Sequence, residues 1–219
     1  MSDKKKSKDL LILVPAFNEE KTLKKMINGI KKYGRVLVID DGSSDQTKKI
    51  ALKNGAMVLS HKKNLGYNQA INSGLKFFLK KKFKQVITID ADGQLPTIYI
   101  KIFKKALDSN VDIVCGVRAK VNRIGEKIFL FFSKTFWNLQ DPLCGMKAYS
   151  FSFIKEYYEE PNFDSINTEL LIKGKKNNAE IKELLVDNKS RKDESRFGKG
   201  ISVNLFIIFT FFKCLILIK

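Results

Sequence analysis

Short apolar runs alternating with helix-patterned segments fill the first half of this chain, and they constrain its fold more than any other feature. Leu10–Val14 is a continuous apolar run that stops at Pro15, the pattern of a strand buried on both faces. Asn18 is placed to cap a following helix, with Glu19 and Glu20 in its positive first turn. Leu23, Met26, Ile27 and Ile30 then recur at helical spacing before Gly34. Further strands are predicted over Arg35–Asp40, Ala56–Ser60, Gln85–Asp90 and Asp112–Gly116. Helices are predicted over Asp45–Lys53, Gly66–Leu79 and Ile98–Leu107, the last with Pro96 at its start. This alternation predicts an α/β fold: a Rossmann-like, mostly parallel sheet with helices on both faces. Such sheets bind ligands beyond the carboxyl ends of their strands, and the polar clusters of this sequence lie there.

The second half is less regular. Ile124–Leu139 reads as an aromatic-rich helix, Gln140–Lys147 as a loop, Glu169–Lys176 as a short helix and Ile181–Val186 as a strand. Asn188–Gly200 is a loop carrying five Lys/Arg. Residues 201–219 are apolar, interrupted by Asn204, Lys213 and Lys219. Leu205–Leu217 is short for a membrane span, which needs about 20 apolar residues. A helix lying in a membrane interface and a helix packed on the domain both fit it. The organisation expected is a basic tail over 1–9, one domain over 10–200 and a C-terminal apolar or amphipathic helix over 201–219.

The formal net charge is +18, from 41 Lys+Arg against 23 Asp+Glu. That excess implies anionic partners such as phosphorylated molecules or an acidic membrane surface, or simply a solvated lysine-rich exterior. No recognition-helix motif supports nucleic acid as the partner. Cys115, Cys144 and Cys214 are widely spaced, without a CxxC pair, which suits a reducing compartment rather than a zinc site or disulfide framework. MSDKKKSKD, followed by only five apolar residues, lacks the pattern of a signal peptide. A cytosolic, membrane-peripheral location is therefore expected. His61 reads as a capping or surface residue, and Trp137 with its neighbouring phenylalanines as core or interface.

Two acidic clusters end strands. Asp90-Ala91-Asp92-Gly93-Gln94 follows Val86–Ile89. In extended chain, residues two apart point the same way, so Asp90, Asp92 and Gln94 would converge. Paired carboxylates repel unless a cation separates them, and a hard ion such as Mg²⁺ or Mn²⁺ takes oxygen ligands that it shares with phosphates. An Asp-rich turn is the plainer alternative. Asp40 and Asp41 end the second predicted strand in VLVIDDGSSDQT, placed to accept hydrogen bonds from a ribose or base or to cap the next helix.

VPAFNEE at 14–20, VIDDGSSDQT at 38–47, NLGYNQAINSGL at 64–75 and DADGQ at 90–94 occur in that order. Together they resemble the family 2 glycosyltransferases, which have the GT-A fold. DPLCGMKAYS at 141–150 is similar to a segment of the dolichyl- and polyprenyl-phosphate sugar transferase branch. The resemblance spans roughly residues 10 to 200. It implies that Pro15, Phe17, Glu19 and Asp41 hold the nucleoside, with Asp41 reading the base. It also implies that Asp90, Ala91 and Asp92 form the DxD motif of the donor site, with Gln94 as a third metal ligand. Arg196 would clamp the donor phosphates. Arg118 would face the acceptor phosphate, with Arg123 and Lys127 as further acceptor-binding residues.

The activity implied is inverting, metal-dependent transfer of a sugar from a GDP-mannose- or UDP-glucose-type donor to a polyprenyl or dolichyl phosphate. A lipid phosphate is already anionic and needs no base. A saccharide or lipid hydroxyl acceptor would need one, and Asp141 is then the residue expected to serve. A scaffold that has lost catalysis is a third reading, against which the intact DxD stands.

Overall fold

The computed structural model describes residues 9–121, 123–159, 165–188 and 201–217. Seven strands form one sheet: β1 (Leu10–Ala16), β2 (Arg35–Asp40), β3 (Met57–Ser60), β4 (Gln85–Thr88), β5 (Ile113–Arg118), β6 (Lys147–Ser150) and β7 (Ile181–Val186). Their order is β3-β2-β1-β4-β6-β5-β7. β6 runs antiparallel to both its neighbours, and every other pairing is parallel. The eight helices among the described residues are α1 (Leu23–Ile30), α2 (Thr47–Lys53), α3 (Tyr67–Lys81), α4 (Tyr99–Leu107), α5 (Ile124–Trp137), α6 (Phe151–Tyr157), α7 (Ile166–Lys176) and α8 (Ile201–Leu217).

Side chains of β1 alternate between two cores. Leu10, Ile12, Val14 and Ala16 pack with α1 and α4 on one face, and Leu11 and Leu13 pack with α3 and the C-terminal helices on the other. Fully buried Phe103 and Phe78 anchor the two layers, each contributing about 2–3 kcal/mol by leaving water. Gly74 lets α3 lie directly on β1, because a Cβ there would come within 2.2 Å of Leu13. The chain passes from β1 through α1 to β2 on one face, and from β3 through α3 to β4 on the other. Strand order therefore reverses between β1 and β4, which opens a crevice at their carboxyl ends.

The α/β expectation holds, with local corrections. Asn18 does not cap α1; it sits in the left-handed region at φ 54°, and its Oδ1 accepts from Ser44 N at 2.9 Å. Glu19 and Glu20 accordingly precede the helix, whose first turn carries no acid. β4 ends at Thr88, so the 90–94 segment is a turn, with Gly93 at φ 73°, rather than extended chain. The expected loop over 140–147 leads straight into β6, a strand of only four residues, and α6 follows it. Too short to show a period, and carrying a lysine, β6 left no recognisable pattern. Residues 1–8 and 189–200, which include Arg196, lie outside the described residues.

The C-terminal helix α8 packs on the domain rather than standing apart. Phe211 meets Phe129 and Trp137, each with ring centroids 5.5 Å apart. Asn204 Oδ1 accepts from Gly125 N at 2.9 Å. Among the described residues, no helix is long and apolar enough to cross a membrane.

Candidate active site

Four strand ends converge on the crevice. After β1, the loop 17–22 is stitched to the loop after β2. Asn18 N donates to Ser43 Oγ at 2.9 Å, Glu19 N to Thr47 Oγ1 at 2.7 Å, and Gln46 N to Glu20 Oε2 at 3.1 Å. Pro15 is buried at the end of β1, Phe17 is half-buried, and Glu19 accepts from the Thr22 hydroxyl at 2.9 Å. This places the proline, the aromatic and the acid of VPAFNEE beside Asp40 and Asp41.

Asp41 is buried. Its Oδ1 accepts from Leu65 N at 2.9 Å and lies 2.6 Å from His61 Nδ1, and its Oδ2 accepts from Gly66 N at 2.8 Å. His61 is therefore neither a cap nor a surface residue. Its side chain is 8% exposed, and its Nε2 lies 2.9 Å from Ser73 Oγ. A lone histidine in HKKNLG offers no periodic signal for this, because its partners come from β2 and α3.

Asp90 and Asp92 sit in the turn after β4, with Ala91 buried between them. Asp92 Oδ1 accepts from Gln94 N at 3.0 Å, so one lone pair serves the turn itself. Asp90 Oδ1 is buried and has no hydrogen-bond partner. Burial, then the charge of Asp92, push the Asp90 carboxyl up to about 6, while the Tyr67 hydroxyl, Lys147 and Arg118 act in the opposite direction. An orphaned buried carboxylate oxygen beside a second carboxylate is the donor set a hard divalent cation requires, so these residues fit a metal.

The segment 141–147 forms the far wall. Gly145 lies against Asp90, and a Cβ at 145 would sit 2.3 Å from Asp90 Oδ2. Lys147 is 1% exposed, and its ammonium donates to the carbonyls of Pro142, at 2.9 Å, and Cys144. It thus ties the wall together while offering positive charge to Asp90. Tyr67, Gly145 and Lys147 escaped the sequence reading. The last two stand in DPLCGMKAYS, but their significance lies in a contact with β4 across the sheet.

Arg118 ends β5 and Asp141 faces it. Arg118 Nε donates to Asp141 Oδ2 at 2.7 Å and its Nη2 to Oδ1 at 3.0 Å; its backbone N also donates to Oδ2. Asp141 is 1% exposed. Both oxygens of Asp141, the acid expected to serve as base for a hydroxyl acceptor, thus accept from one half-buried guanidinium. Glu126, at the start of α5, lies 3.5 Å from Arg118 and 3.6 Å from Arg123. Lys127 is exposed one residue further on. Arg118 and Arg123 thus share Glu126 at the start of α5.

A Rossmann-like sheet with one antiparallel strand, and with paired carboxylates after the strand at its switch point, defines a glycosyltransferase of the GT-A type. The Glycosyl transferase family 2 profile matches residues 11–158, and the chain belongs to that family. An uncharacterized protein of Methanocaldococcus jannaschii is 32% identical over 212 residues, covering 89% of this chain and 86% of that one. A UDP-N-acetylglucosamine–dolichyl-phosphate N-acetylglucosaminyltransferase of Methanococcus voltae is 27% identical, over 96% of each chain. Among solved structures, glucosyl-3-phosphoglycerate synthase from Mycobacterium tuberculosis, in complex with Mn²⁺, UDP and phosphoglyceric acid, superposes with a TM-score of 0.77. It is 17% identical and covers 94% of this chain and 78% of that one.

Proposed function

We propose that this glycosyltransferase moves a sugar from a nucleoside diphosphate donor to a polyprenyl or dolichyl phosphate at the cytosolic face of a membrane, inverting the anomeric carbon. One observation carries the choice of acceptor: Asp141 is closed by the bidentate Arg118 pair. A hydroxyl acceptor would need that base, whereas a phosphate acceptor is already anionic. The dolichyl-phosphate substrate named for the Methanococcus voltae relative supports the same choice.

In this reading Pro15, Phe17, Glu19 and Asp41 bind the nucleoside. Asp90, Asp92 and Gln94 would hold Mg²⁺ or Mn²⁺, with Ala91 between them. The metal, when bound, stabilises charge on the departing diphosphate. Arg196 would add to that stabilisation. Arg118, oriented by Asp141, works with Arg123 and Lys127 to draw the acceptor phosphate towards the anomeric carbon. A phosphate oxygen forms the new bond as the bond to the diphosphate breaks, and the electron pair leaves with the nucleotide.

A surface feature supports approach to a membrane. Ile124, Phe131 and Phe136 on α5, and Phe209 and Phe212 on α8, are exposed at 53–69%. Lys213 lies 4.9 Å above the Phe209 ring. Aromatics flanked by lysines suit the interface of an anionic bilayer, and this face adjoins Arg123 and Lys127.

The test supplies purified protein with membranes, Mn²⁺ and radiolabelled UDP- or GDP-sugars, beside Asp92→Asn. The expected product is an organic-soluble label, stable to alkali and labile to mild acid, that is absent from the variant. Donor hydrolysis without lipid label would overturn the acceptor assignment and point to a saccharide hydroxyl.

A further inference from the structure

His61 is assigned no role by the family motifs, yet it joins three elements at the donor side. Its backbone N donates to Asp40 O at 2.9 Å, just beyond the β2–β3 ladder. Its ring spans from Asp41 Oδ1 to Ser73 Oγ on α3. Backbone N–H groups can only donate, so both Asp41 oxygens accept from Leu65 and Gly66, and His61 Nδ1 must supply the proton of the 2.6 Å contact. In the neutral ring Nε2 then accepts from the Ser73 hydroxyl, which fixes the ring at both ends.

The consequence lies in the lone pairs of Asp41. Oδ1 receives two donors and is filled. Among the described residues, Oδ2 receives one, from Gly66, and keeps one acceptor position. The surrounding loop packs directly on the turn after β2: the Lys63–Asn64 backbone lies on Gly42, where a Cβ would come within 2.5 Å. The carboxylate is therefore held in one rotamer with one oxygen left to read a ligand.

We propose that His61, braced by Ser73, is the positioning residue that turns Asp41 into a single-acceptor reader of the donor base. It selects bases that present a ring N–H, of the uracil or guanine type, over cytosine or adenine, whose corresponding ring nitrogen accepts. This rests on the reading of Asp41 as the base-contacting residue.

Calorimetric titration with UDP, GDP, CDP and pyrophosphate, all with Mn²⁺, tests it. The wild type should prefer UDP or GDP over CDP. His61→Ala should weaken the preferred nucleotide about tenfold, the worth of one charge-assisted hydrogen bond. It should also shrink the preference over CDP and leave pyrophosphate binding unchanged. His61→Asn, whose amide N–H can occupy the Nδ1 position, should restore most of the preference. Ser73→Ala should cost about threefold, as for one neutral hydrogen bond. Loss of the preference in Asp41→Asn, with full retention in His61→Ala, would overturn the His61 inference alone. Retention in Asp41→Asn would overturn the base-reading role itself. An equal loss of nucleotide and pyrophosphate binding in both His61 variants would make the residue merely structural and overturn the proposal.

Discussion

The two sides of the crevice are built differently. The donor side is assembled from loops that follow consecutive parallel strands, held by short hydrogen bonds among residues 18–47 and 61–66. The acceptor side depends on β6, the one antiparallel strand, which brings the 141–147 wall under the DxD turn, and on the ion pair of half-buried Arg118 with buried Asp141. Its outer edge is the aromatic face of α5 and α8. The donor side thus joins loops 24–28 residues apart in sequence, whereas the acceptor side needs the 141–147 wall to meet β4 across 57–59 residues. Damage on the donor side should show in catalysis with little loss of fold, and damage on the acceptor side should cost stability first.

The largest effect expected is on the donor side. Asp92→Asn should lower turnover about a thousandfold while leaving the unfolding midpoint within a few degrees. Asp90→Asn should also be inactive, but more stable than wild type in chelator. The Asp90 carboxyl, pushed up to about 6, holds its proton more tightly folded than unfolded. Metal-free wild type therefore loses stability as pH rises from about 4 through 6, and the asparagine variant should lack that slope. Thermal melts with and without Mn²⁺ read both points, since a metal bound only by the folded state raises the midpoint.

Next comes the acceptor side. Arg118→Ala leaves Asp141 buried and unpaired and should cost about 3 kcal/mol in denaturant unfolding, a loss that no donor-side substitution should match. Gly145→Ala tests the seam between the two sides. Its Cβ must displace Asp90, so Mn²⁺ affinity should fall about thirtyfold, in line with the cost of overpacking. If only stability changes, the wall does not position the DxD turn. The smallest effect belongs to the rim. Phe131→Asp with Phe136→Asp should reduce sedimentation with phosphatidylserine vesicles about tenfold, without changing the unfolding midpoint. Unchanged vesicle binding would remove the aromatic face from the account.

This contrast also explains what was legible in the sequence. The alternation from Leu10 to Gly116 follows from apolar runs and helical spacing, and the positions of Asp41, Asp90 and Asp92 follow from the strand-end rule. What that reading missed is long-range. His61 gains its meaning from Ser73 and Asp41, which are distant in sequence. Lys147 looks like a surface lysine until β6 pairs with β4 and buries it. The extended-chain argument for Asp90, Asp92 and Gln94 does not apply, because β4 stops at Thr88 and the 90–94 segment is a turn with a positive-φ glycine. Asp141 was visible as an acid, but its guanidinium partner was visible only in three dimensions.

The central claim is that this crevice glycosylates a phosphate rather than a hydroxyl. The most direct measurement offers polyprenyl phosphate and the matching polyprenol side by side, with the same labelled donor and Mn²⁺. Transfer to the phosphate alone, at a rate that Asp141→Asn reduces through acceptor KM, is the predicted result. Transfer to the polyprenol at a comparable rate, abolished in Asp141→Asn, would make Asp141 a working base and contradict the account.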